Sequence, residues 1–274
     1  FFWMTTQQKL LNILQRCSQL PIEVTKASVE QFSCGDHRVS MIHMEKIDST
    51  HLLADRWGHE CITEREVIVF RADSQDSGKG QRENTWSSPV GNLYMTMIFC
   101  KQNIPPKELV TLQHITALSI AKVLKNYTSE PVELKWINDV FIQDKKISGV
   151  LAKSSIDGNF THVTLSLGVN LNHSPLENSI CLKDVCSQEI DVCRYSREIV
   201  EQLLNTMNQG VETSLKEMTD MLRFKGDRVV IWNETLTEII DRGVFVGLDE
   251  WGFALLRKDS GNIEQVMEGR MRKE

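Results

Sequence analysis

Residues 132–152 read VELKWINDVFIQDKKISGVLA. Apolar and β-branched pieces (Val132–Trp136, Val140–Ile142, Ile147–Ala152) alternate with short polar interruptions, the pattern of strands joined by tight turns. Gln143-Asp144-Lys145-Lys146 supplies one turn, and Ile156-Asp157-Gly158-Asn159 supplies the next, before a further strand at Val163–Val169. Upstream, Val67–Arg71 and Leu93–Cys100 have the same strand composition. Between them runs a long polar loop, Ala72–Gly91, and a loop of that length inside a domain is more often functional than not. Leu109, Leu112, Ile115, Leu118 and Leu124 mark a buried helix. Ser196 can cap another, with its stripe at Ile199, Leu203, Met207, Val211 and Leu215. The expected fold is α/β (α+β), a mixed β-sheet flanked by helices.

The two ends differ from this middle. Residues 5–40 read as a short helix (Leu10, Leu11, Ile13, Leu14, Leu20) followed by irregular sequence, too little for a winged-helix DNA-binding domain. The last fifty residues read as short strands, Arg228–Trp232, Leu236–Val246 and Phe253–Arg257, with turns at Asp249–Gly252 and Asp259–Asn262. The expected organisation is an extension over 1–40, a main domain over 41–222 and a small C-terminal β-barrel over 223–274.

Composition excludes some classes. The chain has 274 residues, 41% hydrophobic and 25% charged, as in ordinary globular proteins. A net charge of −6 argues against neutralising nucleic-acid phosphates as the main task. No apolar run reaches the roughly 18 residues of a membrane span. The seven cysteines are scattered, and Cys181, Cys186 and Cys193 match no common zinc spacing, so reduced thiols are expected. The sequons at Asn126, Asn159 and Asn233 would matter only in a secreted chain.

Four polar clusters interrupt the strands. The loop holds Gly78-Lys79-Gly80-Gln81-Arg82-Glu83-Asn84-Thr85-Trp86. Its glycines let backbone N–H groups approach an anion, Lys79 and Arg82 add positive charge, and Trp86 offers a stacking face. It is neither a dinucleotide fingerprint nor a Walker loop, and taken alone a mobile surface loop with solvated charges is the plainer reading. Lys135, Asn138 and Asp139 end one strand, and Lys146 enters the next. An Asp there can hold a phosphate-bound metal and an Asn can orient a base, although a polar hairpin is the plainer alternative. Asp48-Ser49-Thr50 precedes a helical stretch, where Ser49 is either an N-cap or a ligand-binding hydroxyl. Gly168-Val169-Asn170 closes a strand, or simply makes a turn.

In order and spacing these clusters resemble the biotin protein ligases, the family that includes holocarboxylase synthetases. Asp48-Ser49-Thr50 resembles D-S-T-N, and Gly78-Lys79-Gly80 through Trp86 resembles G-R-G-R-x-x-x-x-W. Ser88-Pro89-Val90-Gly91-Asn92-Leu93-Tyr94 resembles S-P-x-G-x-L-Y. Lys135–Asp139 resembles K-W-P-N-D, Lys146–Leu151 resembles K-[IL]-[AS]-G-I-L, and Gly168-Val169-Asn170 resembles G-[IV]-N. The match is good over residues 42–172 and looser in the C-terminal region.

The resemblance implies an ATP-dependent ligase that makes biotinyl-5′-AMP and passes biotin to a lysine of a carrier. Ser49, Thr50 and Gln75 would bind the ureido ring, while Gly78, Lys79, Gly80 and Gly149 would line the valeryl chain and carboxylate. Lys146 would stabilise charge at the α-phosphate, with Lys79 and Asp139 as further catalytic groups. Arg82, Trp86, Lys135, Asn138 and Asn170 would bind ATP, and Asp139 would hold Mg²⁺. The implied partner is the biotin carboxyl carrier domain of a biotin-dependent carboxylase, in the cytoplasm or an organelle, with no membrane or nucleic acid; a homodimer stays open. The alternatives are a lipoate or octanoate ligase of the same fold and a non-catalytic biotin-binding relative. Four positions depart from the family pattern. Gln81 and Lys79 stand where the family has Arg, Glu83 adds a negative charge to the loop, and Ile137 replaces Pro. Without the arginine fork the loop is expected to hold the adenylate less tightly.

Overall fold

The computed structural model describes residues 27–57, 63–81 and 84–274. The short helix expected near the N-terminus lies outside the described residues, as do Arg82 and Glu83.

Strands with apolar residues on both faces must be covered on both sides, and the main sheet is built that way. Its eight strands are β1 (Ser28–Cys34), β2 (His37–Ile47), β3 (Glu66–Gln75), β4 (Leu93–Gln102), β5 (Val132–Lys135), β6 (Asp139–Ile142), β7 (Lys145–Asp157) and β8 (Phe160–Val169). Their order is β1-β2-β3-β4-β8-β7-β6-β5. Only β2 and β3 run parallel, joined by α1 (Thr50–Trp57); every other pair is antiparallel. This is the expected mixed sheet. It also includes residues 28–40, which read as irregular from sequence.

The period of two sorts the side chains. Val67 and Val69 of β3, with Leu93, Met95, Met97 and Phe99 of β4, enter the larger core under three helices. These are α2 (Pro106–Leu124), α4 (Val192–Asn208) and α5 (Val211–Thr219). Ile68, Phe70 and Ala72 point the other way and pack with Ile98 and Cys100 under α1, through Leu53, Ala54 and Trp57. Fully burying each such side chain is worth about 1.5–3 kcal/mol, so α1 is held by a few large residues rather than by its own length.

Two helix details differ from expectation. Asp191, not Ser196, caps α4, accepting hydrogen bonds from the N–H groups of Cys193 and Arg194. Ser196 lies inside the helix and donates its hydroxyl to the Cys193 carbonyl at 2.7 Å. The expected continuous stripe breaks at Gly210 (φ 87°), where α5 begins. A short helix, α3 (Leu182–Cys186), fills the stretch before α4.

The C-terminal strands are β9 (Arg228–Trp232), β10 (Ile239–Leu248), β11 (Ala254–Arg257), β12 (Ile263–Val266) and β13 (Arg270–Lys273). They form an open antiparallel sheet ordered β12-β11-β10-β9-β13, not the expected barrel, because β12 and β13 remain unpaired edges. Trp136, from the end of β5, enters this sheet's core beside Phe245 and Leu256. Its indole donates to the Gly252 carbonyl at 3.1 Å. Gly252, at φ +82°, faces the His114 ring, and a Cβ added there would fall 3.1 Å from it. Burial of that imidazole pushes its pKa down to about 4.

Candidate active site

On the α1 side of the sheet, the apolar residues that β4 gives to the core under α1 stop at Ile98. Beyond Ile98, the same face of β4 presents Thr96 and then Tyr94, and the matching face of β8 presents Thr164, Ser166 and Gly168. Ser166 and Gly168 of this polar half help floor a cavity of about 370 Å³.

The start of α1 and the end of β3 make one wall. Gln75 Oε1 accepts from the Thr50 N–H at 2.8 Å and is 3.2 Å from the Thr50 hydroxyl. The Gln75 amide donates to Ser88 Oγ at 2.9 Å. Asp48 receives a two-pronged contact from Arg56 at 2.7 and 2.8 Å, which holds its carboxyl below the usual range and fixes the entry to α1. Ser49 Oγ is buried at the cavity edge with no partner among the described residues. A buried hydroxyl left unpaired is costly, and a bound polar group would satisfy it.

The long polar segment is more ordered than its composition suggested. β3 runs on to Gln75, and the next residues fold into a small hairpin: Lys79 bridges Thr85, Gly80 N–H bonds Asn84 O, and Trp86 N–H bonds Gly78 O. The hairpin lays Trp86 across the cross-strand pair Gly149 and Gly168. A Cβ on Gly168 would fall 2.4 Å from the indole nitrogen, so only glycine leaves the slot open. That nitrogen is buried and unpartnered among the described residues.

Charge gathers on the opposite wall. A bulge between Val140 and Phe141 shifts the register of β6 against β7 and sets Lys146 opposite Phe141. Lys146 Nζ meets Asp139 Oδ1 at 2.6 Å and lies 5.4 Å from the centroid of the Trp86 ring. Burial lowers the Lys135 pKa; Asp139 opposes the shift, and Lys146, Arg272 and Arg223 add to it. Arg270 and Arg272 reach the cavity from β13, so the second domain supplies part of the wall. Among the described residues, the lining therefore sets Lys79, Lys135, Lys146, Arg270 and Arg272 against one carboxylate, Asp139. In a chain of net charge −6, this is a concentrated site for an anion.

Most residues singled out from the sequence converge here. Ser49, Thr50, Gln75, Lys79, Gly80, Trp86, Lys135, Asn138, Asp139, Lys146 and Gly149 line the cavity. Gly78 and Asn170 are not among the lining residues; Asn170 Oδ1 is buried without a partner among the described residues. Asn138 donates its amide to the Val150 carbonyl at 2.5 Å and ties the turn to β7. His51, Ser166, Arg270 and Arg272 also line the cavity and were not singled out. The signal for Ser166 was a hydroxyl inside an apolar strand, and for the arginines their alternation about Met271.

Residues 44–170 match the model of the biotin/lipoate A/B protein ligase family. The bifunctional ligase/repressor BirA of Escherichia coli is 26% identical over 232 residues, covering 81% of this chain and 70% of that protein. The human biotin–protein ligase is 24% identical over 247 residues, covering 82% of this chain and 33% of that much longer protein. Among solved structures, the biotin protein ligase of Aquifex aeolicus in complex with biotin and ATP superposes with a TM-score of 0.70 at 24% identity, covering 85% of this chain and 99% of that one. The Leishmania major enzyme in complex with biotinyl-5-AMP gives 0.58 at 19% identity, covering 82% and 98%.

Proposed function

We propose, from the match of residues 44–170 to the biotin/lipoate A/B protein ligase family and from the likeness to BirA, that this chain is an ATP-dependent biotin–protein ligase. The observation that carries this reading is the cavity itself. One end offers a small polar recess (Ser49, Thr50, Gln75), and the other gathers five cations around a single carboxylate. Biotin has that polarity, with a ureido ring at one end and a carboxylate at the other, and ATP adds the phosphates.

In the proposed first step, a biotin carboxylate oxygen attacks the α-phosphorus of ATP, and the bond to pyrophosphate breaks. Lys146 holds the carboxylate and α-phosphate together and offsets the charge that builds on the phosphoryl oxygens. Its contact with Asp139 preorganises the ammonium before substrate arrives. Trp86, Asn138, Asn170 and Arg82 serve the adenosine, and Lys79 and Lys135 serve the carboxylate and phosphates. In the second step, a lysine amine of a carrier domain attacks the mixed anhydride, the bond to AMP breaks, and an amide forms. The carrier is a biotin carboxyl carrier domain.

Among the described residues no group of three metal-ligating side chains occurs, and Asp139 is the only carboxylate lining the cavity. Such a site fits Mg²⁺ entering as part of MgATP, held mainly by phosphate oxygens with one carboxylate at hand. When bound, the ion would neutralise phosphate charge. No helix among the described residues is long and apolar enough to cross a membrane. The proposed enzyme's need for ATP is met in the cytoplasm or in an organelle.

The test is to incubate the protein with biotin, MgATP and a carrier domain and to weigh the carrier. The expected result is a mass gain of one biotinyl group that requires ATP and accumulates about 10²–10³-fold more slowly in Lys146→Ala. Intact biotin binding without any gain would point to a non-catalytic relative, and a gain with lipoate instead would point to the other branch of the family.

A further inference from the structure

A line of hydrogen bonds runs beneath the recess and ends at a histidine. Gln75 Oε1 is 3.2 Å from Thr50 Oγ1, which is 3.0 Å from Thr96 Oγ1. Thr96 Oγ1 is 2.9 Å from Ser166 Oγ, which is 2.8 Å from His51 Nδ1. Thr50, Thr96 and Ser166 are all buried, and the chain crosses from α1 to β4 to β8 and back to α1. His51 occupies the place where the resemblance has Asn, so this titratable end belongs to this chain.

Counting protons shows what the histidine controls. Four hydrogen-bond gaps separate Gln75 Oε1 from His51 Nδ1, and the three hydroxyls supply three protons. When Nδ1 carries a proton, all four gaps are filled and the Thr50 hydroxyl donates to Gln75. When Nδ1 is bare, Ser166 donates to it, Thr96 to Ser166 and Thr50 to Thr96. The unfilled gap then lies between Thr50 Oγ1 and Gln75 Oε1, two cavity-lining oxygens. Gln75 Oε1 keeps the Thr50 N–H at 2.8 Å, and both oxygens have lone pairs for an incoming N–H donor.

The ring's surroundings choose the bare form. Asp55 of α1 faces the other nitrogen, Nε2, at 3.8 Å, so the neutral ring keeps its proton on that side. Burial lowers the His51 pKa; Asp55 opposes this, and Lys153 of β7 and Lys79 of the loop reinforce it. Lys153 itself pairs with Asp55 at 2.7 Å.

We propose that His51 is a positioning residue whose Nδ1 sets the direction of the buried hydroxyl relay, so that the recess accepts ureido N–H donors when His51 is neutral and loses an acceptor when it is protonated. The inference rests on the biotin-ligase reading for the identity of the N–H donor. Biotin affinity then falls as pH drops through the His51 pKa, by about tenfold, the worth of one buried hydrogen bond. Reciprocally, bound biotin lowers the His51 pKa by about one unit.

The experiment is calorimetric titration of the full chain with biotin across about pH 5 to 8, together with the NMR titration of the His51 ring with and without biotin. The expected result is weaker binding on the acid side with an inflection at the His51 pKa, and a pKa lowered by biotin. His51→Asn should make the affinity flat with pH, and Ser166→Ala, which cuts the relay but keeps the histidine, should flatten it as well. A flat profile in the unmodified protein, an unchanged pH dependence in both variants, or a His51 pKa indifferent to biotin overturns the proposal. Absence of biotin binding at every pH overturns the ligase reading and this inference with it, whereas strong binding without pH dependence overturns only the inference.

Discussion

The two halves of one sheet face make the most instructive contrast in this molecule. Under α1, β3 and β4 present Ile68, Phe70, Ile98 and Cys100, closed off by Leu53, Ala54 and Trp57. One step along the same face, β4 and β8 present Thr96, Ser166 and Gly168, and a loop with one indole is the main cover. Strands and pleat are shared; only the side chains change. The apolar half supplies stability, and the polar half keeps hydroxyls and space available for a ligand. The lesson is that a site can be made by withholding core residues from part of a sheet, provided the other part is packed well enough to hold it.

That contrast is open to breaking. The largest effect is expected on the packed half: Phe70→Ala removes a fully buried ring that lies 5.4 Å from the Trp57 ring. It should cost about 3–5 kcal/mol in urea unfolding, with activity per folded molecule largely kept. Lys146→Ala should do the opposite, slowing adenylate formation by about 10²–10³-fold while the unfolding midpoint barely moves. If the first change destroyed activity in fully folded protein, or the second unfolded it, the division of labour would be wrong.

The next effect concerns the junction of the two sheets. His114 has its pKa pushed from 6.5 down to about 4 by burial, so the folded state resists a proton that the unfolded chain accepts. Its stability contribution is complete above about pH 6.5 and declines as pH falls toward about 4, by about 3 kcal/mol in all. His114→Gln should flatten this acid limb in denaturant titrations at successive pH values. An acid limb identical to the unmodified protein's would assign it to other groups.

The smallest effect sharpens the polar half. Gln81 lines the cavity where the resemblance has Arg, so Gln81→Arg should slow release of biotinyl-5′-AMP by about tenfold, near 1.4 kcal/mol. Stopped-flow release rates would show it, and an unchanged rate would remove position 81 from the account.

The contrast also marks what could be read before folding. β3 to β8 were legible because apolar, β-branched runs separated by polar turns have few other interpretations. β1 was not: it is an edge strand of Gln, Ser and Glu, and only Gly35-Asp36, with Gly35 at φ 55°, signalled its hairpin. β12 and β13 are short and polar for the same reason, and their missed places turned an open sheet into an expected barrel. The residues from the four clusters that line the cavity are local motifs on consecutive elements. His51, Ser166, Arg270 and Arg272 join the site through strand register and domain docking, which no local pattern encodes. Trp86 was legible as a stacking face, but its seat across Gly149 and Gly168 required the pairing of β7 with β8.

The most direct test of the central claim leaves the carrier out. The purified protein is mixed with biotin and MgATP alone, and the bound small molecules are identified by mass spectrometry alongside pyrophosphate release. The account predicts biotinyl-5′-AMP formed in about one equivalent per site, reached about 10²–10³-fold more slowly in Lys146→Ala. Biotin and ATP both bound, with neither adenylate nor pyrophosphate produced, would contradict it.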